Sequence, residues 1–344
     1  MIRVLIVDDS PTVAYLLRSI LQSDPAVRVV GEARTGEDGV AQCQQLQPDL
    51  VTMDVEMPGM GGLEAIRQIM DVSPRPIVVV TAVEARRLMT VSFQALELGA
   101  LAVEAKPTAR DGAEAERLLV LVKTMAGVKV VRRFQRRPAP VSAPSAPPPA
   151  APAAAAPVRL VAVGVSTGGP QTLQIILAGL PASFPAPIIV VQHISPGFVD
   201  GLASWLTDST PLPCHVAAQN EPLQAGHVYL APDNHHLLVP APGVIHLDTA
   251  PPVGGHRPSA NPLFESVAYT YGAAAVGVLL TGMGEDGARG LRTLRRAGAL
   301  TIVQDEATSV IFGMPRAAIE LGAAVQVLAL DKIAGQLVAQ AGRG

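Results

Sequence analysis

The chain has 344 residues, 49% of them hydrophobic, with a formal net charge of -3 at pH 7 and two cysteines. That length suits about two domains, each able to bury a sizeable core. The charge argues against nucleic acid as the main partner, Cys43 and Cys214 fall in different halves and suggest no disulfide framework, and no apolar run reaches the ~18 residues of a membrane span. The opening run, MIRVLIVDDS, is stopped by two acids and is too short for the apolar core of a signal peptide. A cytoplasmic protein is expected.

From the N-terminus, apolar runs at Ile2–Val7, Val27–Val30, Leu50–Met53, Ile77–Val80 and Leu101–Val103 alternate with helical patterns such as TVAYLLRSIL and LMTVSFQALEL. Repeated βα units of this size predict a doubly wound parallel sheet over 1–125, with its ligand site at the carboxyl ends of the strands. Asp8 and Asp9 end the first run, Asp54 ends the third, Thr81 ends the fourth, and Lys106-Pro107 follows the fifth. Three carboxylates gathered at one rim repel one another unless a cation sits among them, and hard oxygen ligands suit Mg2+. A lysine and a hydroxyl beside them suit an acyl phosphate, with Asp54 as the group that attacks a phosphoryl donor. Any one of these aspartates alone could be a turn or cap residue. Together they resemble the receiver domain of two-component response regulators, as does the run MDVEMPGMGGLE. The resemblance implies phosphorylation of Asp54 by a sensor histidine kinase, metal held by Asp8, Asp9 and Asp54, and a switch through Thr81 and Lys106. Three residues before the lysine that family usually has an aromatic; here it is Val103.

Residues 126–157 read as a linker. A basic cluster, Lys129 to Arg137, precedes PAPVSAPSAPPPAAPAAAAP at 138–157, which has no charge and cannot build a core. Extended at ~3.1 Å per residue, the Pro/Ala stretch spans on the order of 60 Å.

The second domain, 158–344, opens on RLVAVGVSTGGP, Arg159 to Pro170. Leu160 to Val165 predicts a strand buried on both faces, and Pro170 suits the first turn of a following helix. Ser166 then lies on the turn between them, where backbone N–H groups are free to face negative charge. His193 follows the apolar run Ile188–Gln192, and Asp286 follows AAVGVLLT within Gly282-Met-Gly-Glu-Asp-Gly287. Three residues past three parallel strands share a rim, which is the geometry of a serine nucleophile, a histidine base and an orienting carboxylate. The Met283 and Gly284 amides could face an oxyanion. Glu285 is an equally available carboxylate by sequence alone. The run G-V-S-T-G also fits a nucleophile elbow, and Asp248 and His256 would supply the Ser–acid–His order of an α/β-hydrolase. Against that, the elbow here follows the domain's first strand. A dinucleotide-binding turn would need glycine where Ser166 stands. CHVAA, HVYLAP, HHLLV and VIHLD predict hairpins added to one sheet edge. His235, His236, Asp233 and His246 could suggest a metal, but adjacent histidines on a strand point to opposite faces.

The runs GVSTGGP, VVQHISPGF, YLAPDNHHL, RPSANPLF, LLTGMGEDGARG and QDEATSVIFGMPRAA resemble the catalytic domain of the chemotaxis protein-glutamate methylesterases, the CheB family. The receiver in front matches that family's domain order. The resemblance implies a Rossmann-like domain with Ser166 as nucleophile, His193 as general base, Asp286 as orienting acid and the Met283 amide in the oxyanion hole. It implies no cofactor for the ester chemistry. Methyl-accepting chemoreceptors are the implied substrate, demethylated at glutamyl methyl esters and deamidated at glutamines, and the receiver is implied to cover the site until phosphorylated. Two other readings stand beside it: the same chemistry in a non-chemotactic receptor array, or a response regulator whose second domain only binds a partner.

Overall fold

The computed structural model describes residues 1–81, 93–128, 130 and 158–342. The basic residues at 129–137, the Pro/Ala stretch and the start of the helix expected over 88–98 lie outside that set. Two compact units are present, one containing 1–81 and 98–128, the other 93–97 and 158–342.

The first unit is a five-stranded parallel sheet of β1 (Ile2–Val7), β2 (Val27–Ala33), β3 (Leu50–Met53), β4 (Ile77–Thr81) and β5 (Ala102–Ala105), in the order β2-β1-β3-β4-β5. That order is flavodoxin-like, with its switch point at β1 and β3. β3 and β4 are buried along their whole length, as continuous apolar runs require. Helices α1 (Pro11–Leu21), α2 (Gly36–Leu46), α3 (Gly62–Val72) and α4 (Ala113–Met125) lie between and after the strands. Ser10 starts α1 by accepting from the Val13 amide, ahead of a proline whose missing N–H costs nothing there. Thr35 caps α2 through the Asp38 amide.

The second unit is a seven-stranded, all-parallel sheet. Its strands are β6 (Leu160–Val165), β7 (Ile188–Gln192), β8 (Cys214–Val216), β9 (Val228–Leu230), β12 (Ala275–Leu279), β13 (Leu300–Gln304) and β14 (Gln326–Leu328). They run β14-β13-β12-β6-β7-β9-β8. Without the edge strand β8 this is the doubly wound Rossmann order, reversing direction at β6. Helices α5 (Gly169–Ala178), α6 (Val199–Ser209), α7 (Ala260–Tyr271), α8 (Ala288–Arg296), α9 (Met314–Glu320) and α10 (Leu330–Ala341) complete the unit. No helix among the described residues is long and apolar enough to cross a membrane.

One expectation is corrected. β8 and β9 do not form a hairpin. They are parallel strands of the main sheet, joined through the long segment 217–227, and β9 is buried between β7 and β8. Short apolar runs carry no information on strand direction. The hairpin that does form, β10 (His236–Ala241) with β11 (Val244–Asp248), is a separate two-stranded sheet and not an addition to the edge. Leu237, Val239 and Ile245 pack into one core with Leu263, Phe264 and Val267 of α7. The Val239 amide donates to Ser266 Oγ, and Thr270 Oγ1 donates to the Val239 carbonyl. A hairpin with one apolar face is stable only when that face is covered, and α7 covers it.

Candidate active site

β6 pairs with β7 so that Val165 lies opposite Gln192, and with β12 so that Gly164 lies opposite Leu279. The residues that follow these strands therefore meet at one rim, at the point where the strand order reverses. Ser166 leaves β6 with its amide bound to the Thr281 carbonyl at 3.0 Å, while its own carbonyl accepts the Gly169 amide at 2.8 Å. Gly168 takes φ +79 before α5, a value only glycine adopts without strain. Gly282 is required by close approach: a Cβ there would fall 2.7 Å from the Ser166 Cβ and would also clash with Met314 Sδ. The loop that carries Met283 and Gly284 thus runs directly against the serine.

His193 follows β7, and its amide donates to the Val165 carbonyl at 3.0 Å. Its Nε2 meets Asp286 Oδ2 at 2.9 Å. Its Nδ1 is buried and has no hydrogen-bond partner among the described residues. With Asp286 ionised, the proton of a neutral imidazole sits on Nε2, and Nδ1 keeps a lone pair. Gln192 joins the two strand ends: its Nε2 donates to the carbonyls of Ser166 at 2.9 Å and His193 at 2.7 Å.

The carboxylate that the imidazole meets is Asp286, which is 5% exposed, whereas Glu285 points to solvent. Oδ2 of Asp286 also accepts the Ala260 amide at 2.7 Å, and Oδ1 accepts Ser259 Oγ at 2.6 Å and Asn261 Nδ2 at 2.8 Å. Burial opposes its charge, but the bonds from His193, Ser259 and Ala260 prevail and hold the carboxyl at about 2. A buried anion with all four donors aimed at it is rigid as well as ionised.

Sequence reasoning missed Ser259, Ala260, Asn261 and Gln192. Ser259 is the N-cap of α7, so the S-A-N run was legible as a helix start, but nothing local says that it surrounds Asp286. Asp248 and His256 do not form the alternative acid–base pair: Asp248 accepts the Ala250 amide, and the His256 ring stacks on His193. The metal alternative at His235 and His236 also fails. His236 is bound through both nitrogens, Nε2 to the Pro251 carbonyl and Nδ1 to the Ser259 amide, and His235 Nδ1 meets the Asp233 carbonyl. His246 Nδ1 meets the Gln219 side chain.

In the first unit, ligating oxygens of Asp8, Asp9 and Asp54 all lie within 4.8 Å of one another, and this is the sole such cluster among the described residues. Asp8 and Asp54 are buried and Asp9 is exposed. Lys106 Nζ reaches Asp54 Oδ2 at 2.7 Å and Asp8 Oδ2 at 2.9 Å. Burial raises the Asp8 pKa, with the Lys106 contact working against it. Burial likewise disfavours the Lys106 charge, but its bonds to Asp54 and Asp8 prevail and raise its pKa. Thr81 is buried at the end of β4, and its carbonyl accepts the Lys106 amide at 2.9 Å. Val103 lies on β5 opposite Val79.

Comparison with known proteins identifies the families that the two units resemble. The CheB methylesterase family profile matches residues 161–337, and that of the response regulator receiver domain matches 4–115. A Myxococcus xanthus protein-glutamate methylesterase/protein-glutamine glutaminase is 50% identical over 98% of this chain and 96% of its own length. A Geobacter metallireducens protein of the same description is 46% identical over 99% of both chains. The crystal structure of the Thermotoga maritima CheB methylesterase catalytic domain aligns with a TM-score of 0.52 at 38% identity, covering 54% of this chain and 99% of that one. The chain belongs to the CheB methylesterase family and carries that family's hydrolase domain behind a response regulator receiver domain.

Proposed function

We propose that the chain hydrolyses glutamyl methyl esters, and deamidates glutamines, on the cytoplasmic helices of methyl-accepting chemoreceptors, and that phosphorylation of Asp54 regulates this activity. The observation that carries the catalytic reading is the buried, fully hydrogen-bonded Asp286 on His193, at the rim where β6 presents Ser166. Ser166 Oγ attacks the ester carbonyl carbon and passes its proton to His193 Nδ1. The proton on Nε2 stays there and donates to the ionised Asp286, which stabilises the imidazolium. The carbonyl oxygen becomes an oxyanion facing the Met283 amide. As the C–O bond breaks, methoxide takes the Nδ1 proton and leaves as methanol. Water then attacks the acyl-enzyme, His193 accepts its proton and returns it to Ser166, and glutamate is released. For glutamine the leaving group is ammonia. None of these steps uses a cofactor.

In the receiver, 1–125, Asp54 is the phosphoryl acceptor. Two buried carboxylates and one exposed carboxylate around a small space fit a hard divalent cation such as Mg2+, held by Asp8, Asp9 and Asp54. Such an ion supplies charge neutralisation during phosphoryl transfer. Lys106 lies on the Asp54 oxygen and is positioned to bind the product phosphate, with Thr81 beside it. The phosphodonor is a sensor histidine kinase, the linker is 126–157, and the phosphorylation state of the receiver governs access to the site of the 158–344 domain. The setting is the cytoplasm, with neither nucleic acid nor membrane insertion involved. Methanol release from methylated receptor membranes tests the catalytic reading: Ser166→Ala should lower it by at least 10^3-fold, and a loss of less than tenfold would refute it.

A further inference from the structure

His256 is not one of the three residues of the proposed hydrolytic apparatus, yet its ring lies flat on that of His193. The centroids are 4.0 Å apart and the planes differ by 2°. The segment that carries it is pinned at several points. Val253 and His256 exchange backbone hydrogen bonds at 3.0 and 3.1 Å. Arg257 Nη1 donates to the carbonyls of Thr249 at 2.9 Å and Ala250 at 3.2 Å. His236, 1% exposed, ties the Pro251 carbonyl to the Ser259 amide. The segment then ends at Ser259, which bonds Asp286. One strap therefore supports both the carboxylate behind His193 and the ring over its face.

We infer that His256 is a positioning residue for the general base, acting through the face of its ring. This rests on the reading of His193 as that base. The argument is electrostatic and steric. An imidazole held at one nitrogen by Asp286 can still rotate about that bond, and a ring stacked at 4.0 Å limits that rotation and so fixes the direction of Nδ1. A neutral aromatic face also attracts the positive charge that His193 carries while the serine proton is in transit. A second cation at that distance would repel it. Burial and the neighbouring His193 lower the His256 pKa from its usual value and so favour the neutral ring, against a smaller opposite effect of Asp286. Arg257, next in the chain, directs its guanidinium to the carbonyls of Thr249 and Ala250.

The experiment compares His256→Ala, His256→Phe and His193→Gln in the full-length protein, measuring methanol release from methylated receptor as kcat, KM and a pH profile of kcat/KM. His256→Ala should lower kcat about tenfold or more and move the acid limb of the profile to lower pH by about half a unit, because the imidazolium loses its facing ring. KM should stay within about threefold of wild type. Phenylalanine keeps the ring without its nitrogens, so His256→Phe should restore both kcat and the acid limb to near wild type. Thermal melting of each variant separates this from unfolding, and His256→Phe keeps the test decisive if His256→Ala melts early. The inference is overturned if His256→Ala leaves kcat and the acid limb unchanged, or if His256→Phe is as slow as His256→Ala, since the nitrogens would then be what matters. If His193→Gln is itself active, the base assignment has failed rather than the stacking.

Discussion

Replacing Asp286 by asparagine changes one oxygen of a caged carboxylate into an NH2 group, and the cage sets the consequences. Two donors reach each oxygen: His193 Nε2 and the Ala260 amide on Oδ2, Ser259 Oγ and Asn261 Nδ2 on Oδ1. If the NH2 group faces His193, the imidazole accepts from it at Nε2. Its proton must then sit on Nδ1, where the serine proton has to go, and the Ala260 amide is left unpaired. If the NH2 group faces the other way, Ser259 can rotate to accept, but Asn261 cannot exchange its amide ends, because its Oδ1 holds the Gly290 amide at 2.8 Å. Either orientation strands one donor, at a cost of about 1–3 kcal/mol. Both orientations also remove the charge that stabilises the imidazolium. The expected loss in kcat is about 10^3 to 10^4, equivalent to about 4–5.5 kcal/mol of barrier, with KM little changed. Stability gives an independent check with a definite sign. The carboxyl sits at about 2 when folded, against an ordinary value of 3.8, so its ionisation stabilises the fold above the unfolded pKa, by about 2 kcal/mol, and this is lost as pH falls through the folded pKa. Urea unfolding of wild type and Asp286→Asn should therefore differ most at neutral pH and converge as pH is lowered from about 5 towards 2. Methanol release within tenfold of wild type, or a stability gap that widens on acidification, would refute the reasoning.

Asp54→Asn should abolish phosphate uptake from acetyl phosphate and its effect on methanol release; a mutant still activated by the donor would mean that another carboxylate, such as Asp9, accepts the phosphoryl group. Gly282→Ala would force a Cβ against Ser166 and Met314, so it should destabilise by about 1–3 kcal/mol and depress kcat, read by urea midpoint and turnover together. A Gly282→Ala enzyme with wild-type kcat would mean that the loop holding Met283 tolerates displacement.

Sequence alone determined the strands of both units to within a few residues, because strands buried on both faces must be continuous apolar runs, and Leu160–Val165 or Leu50–Met53 can be little else. It also determined which polar residues end those strands, and in a parallel sheet strand ends share a rim. The placement of Ser166, His193, Asp286, Asp8, Asp54 and Lys106 at strand ends was therefore readable from the chain. Tertiary structure decided what depends on contacts between distant segments. Asp286 over Glu285 is a matter of which side chain turns inward. The direction of β8 and β9 depends on a long connection and not on composition. The donors around Asp286 come from the start of α7, and the ring over His193 comes from a strap after β11, neither of which lies near its partner in the chain. Which nitrogen of His193 is left open is set by the hydrogen bond that occupies Nε2, because an imidazole's free nitrogen is decided by whatever the folded protein places against the other one.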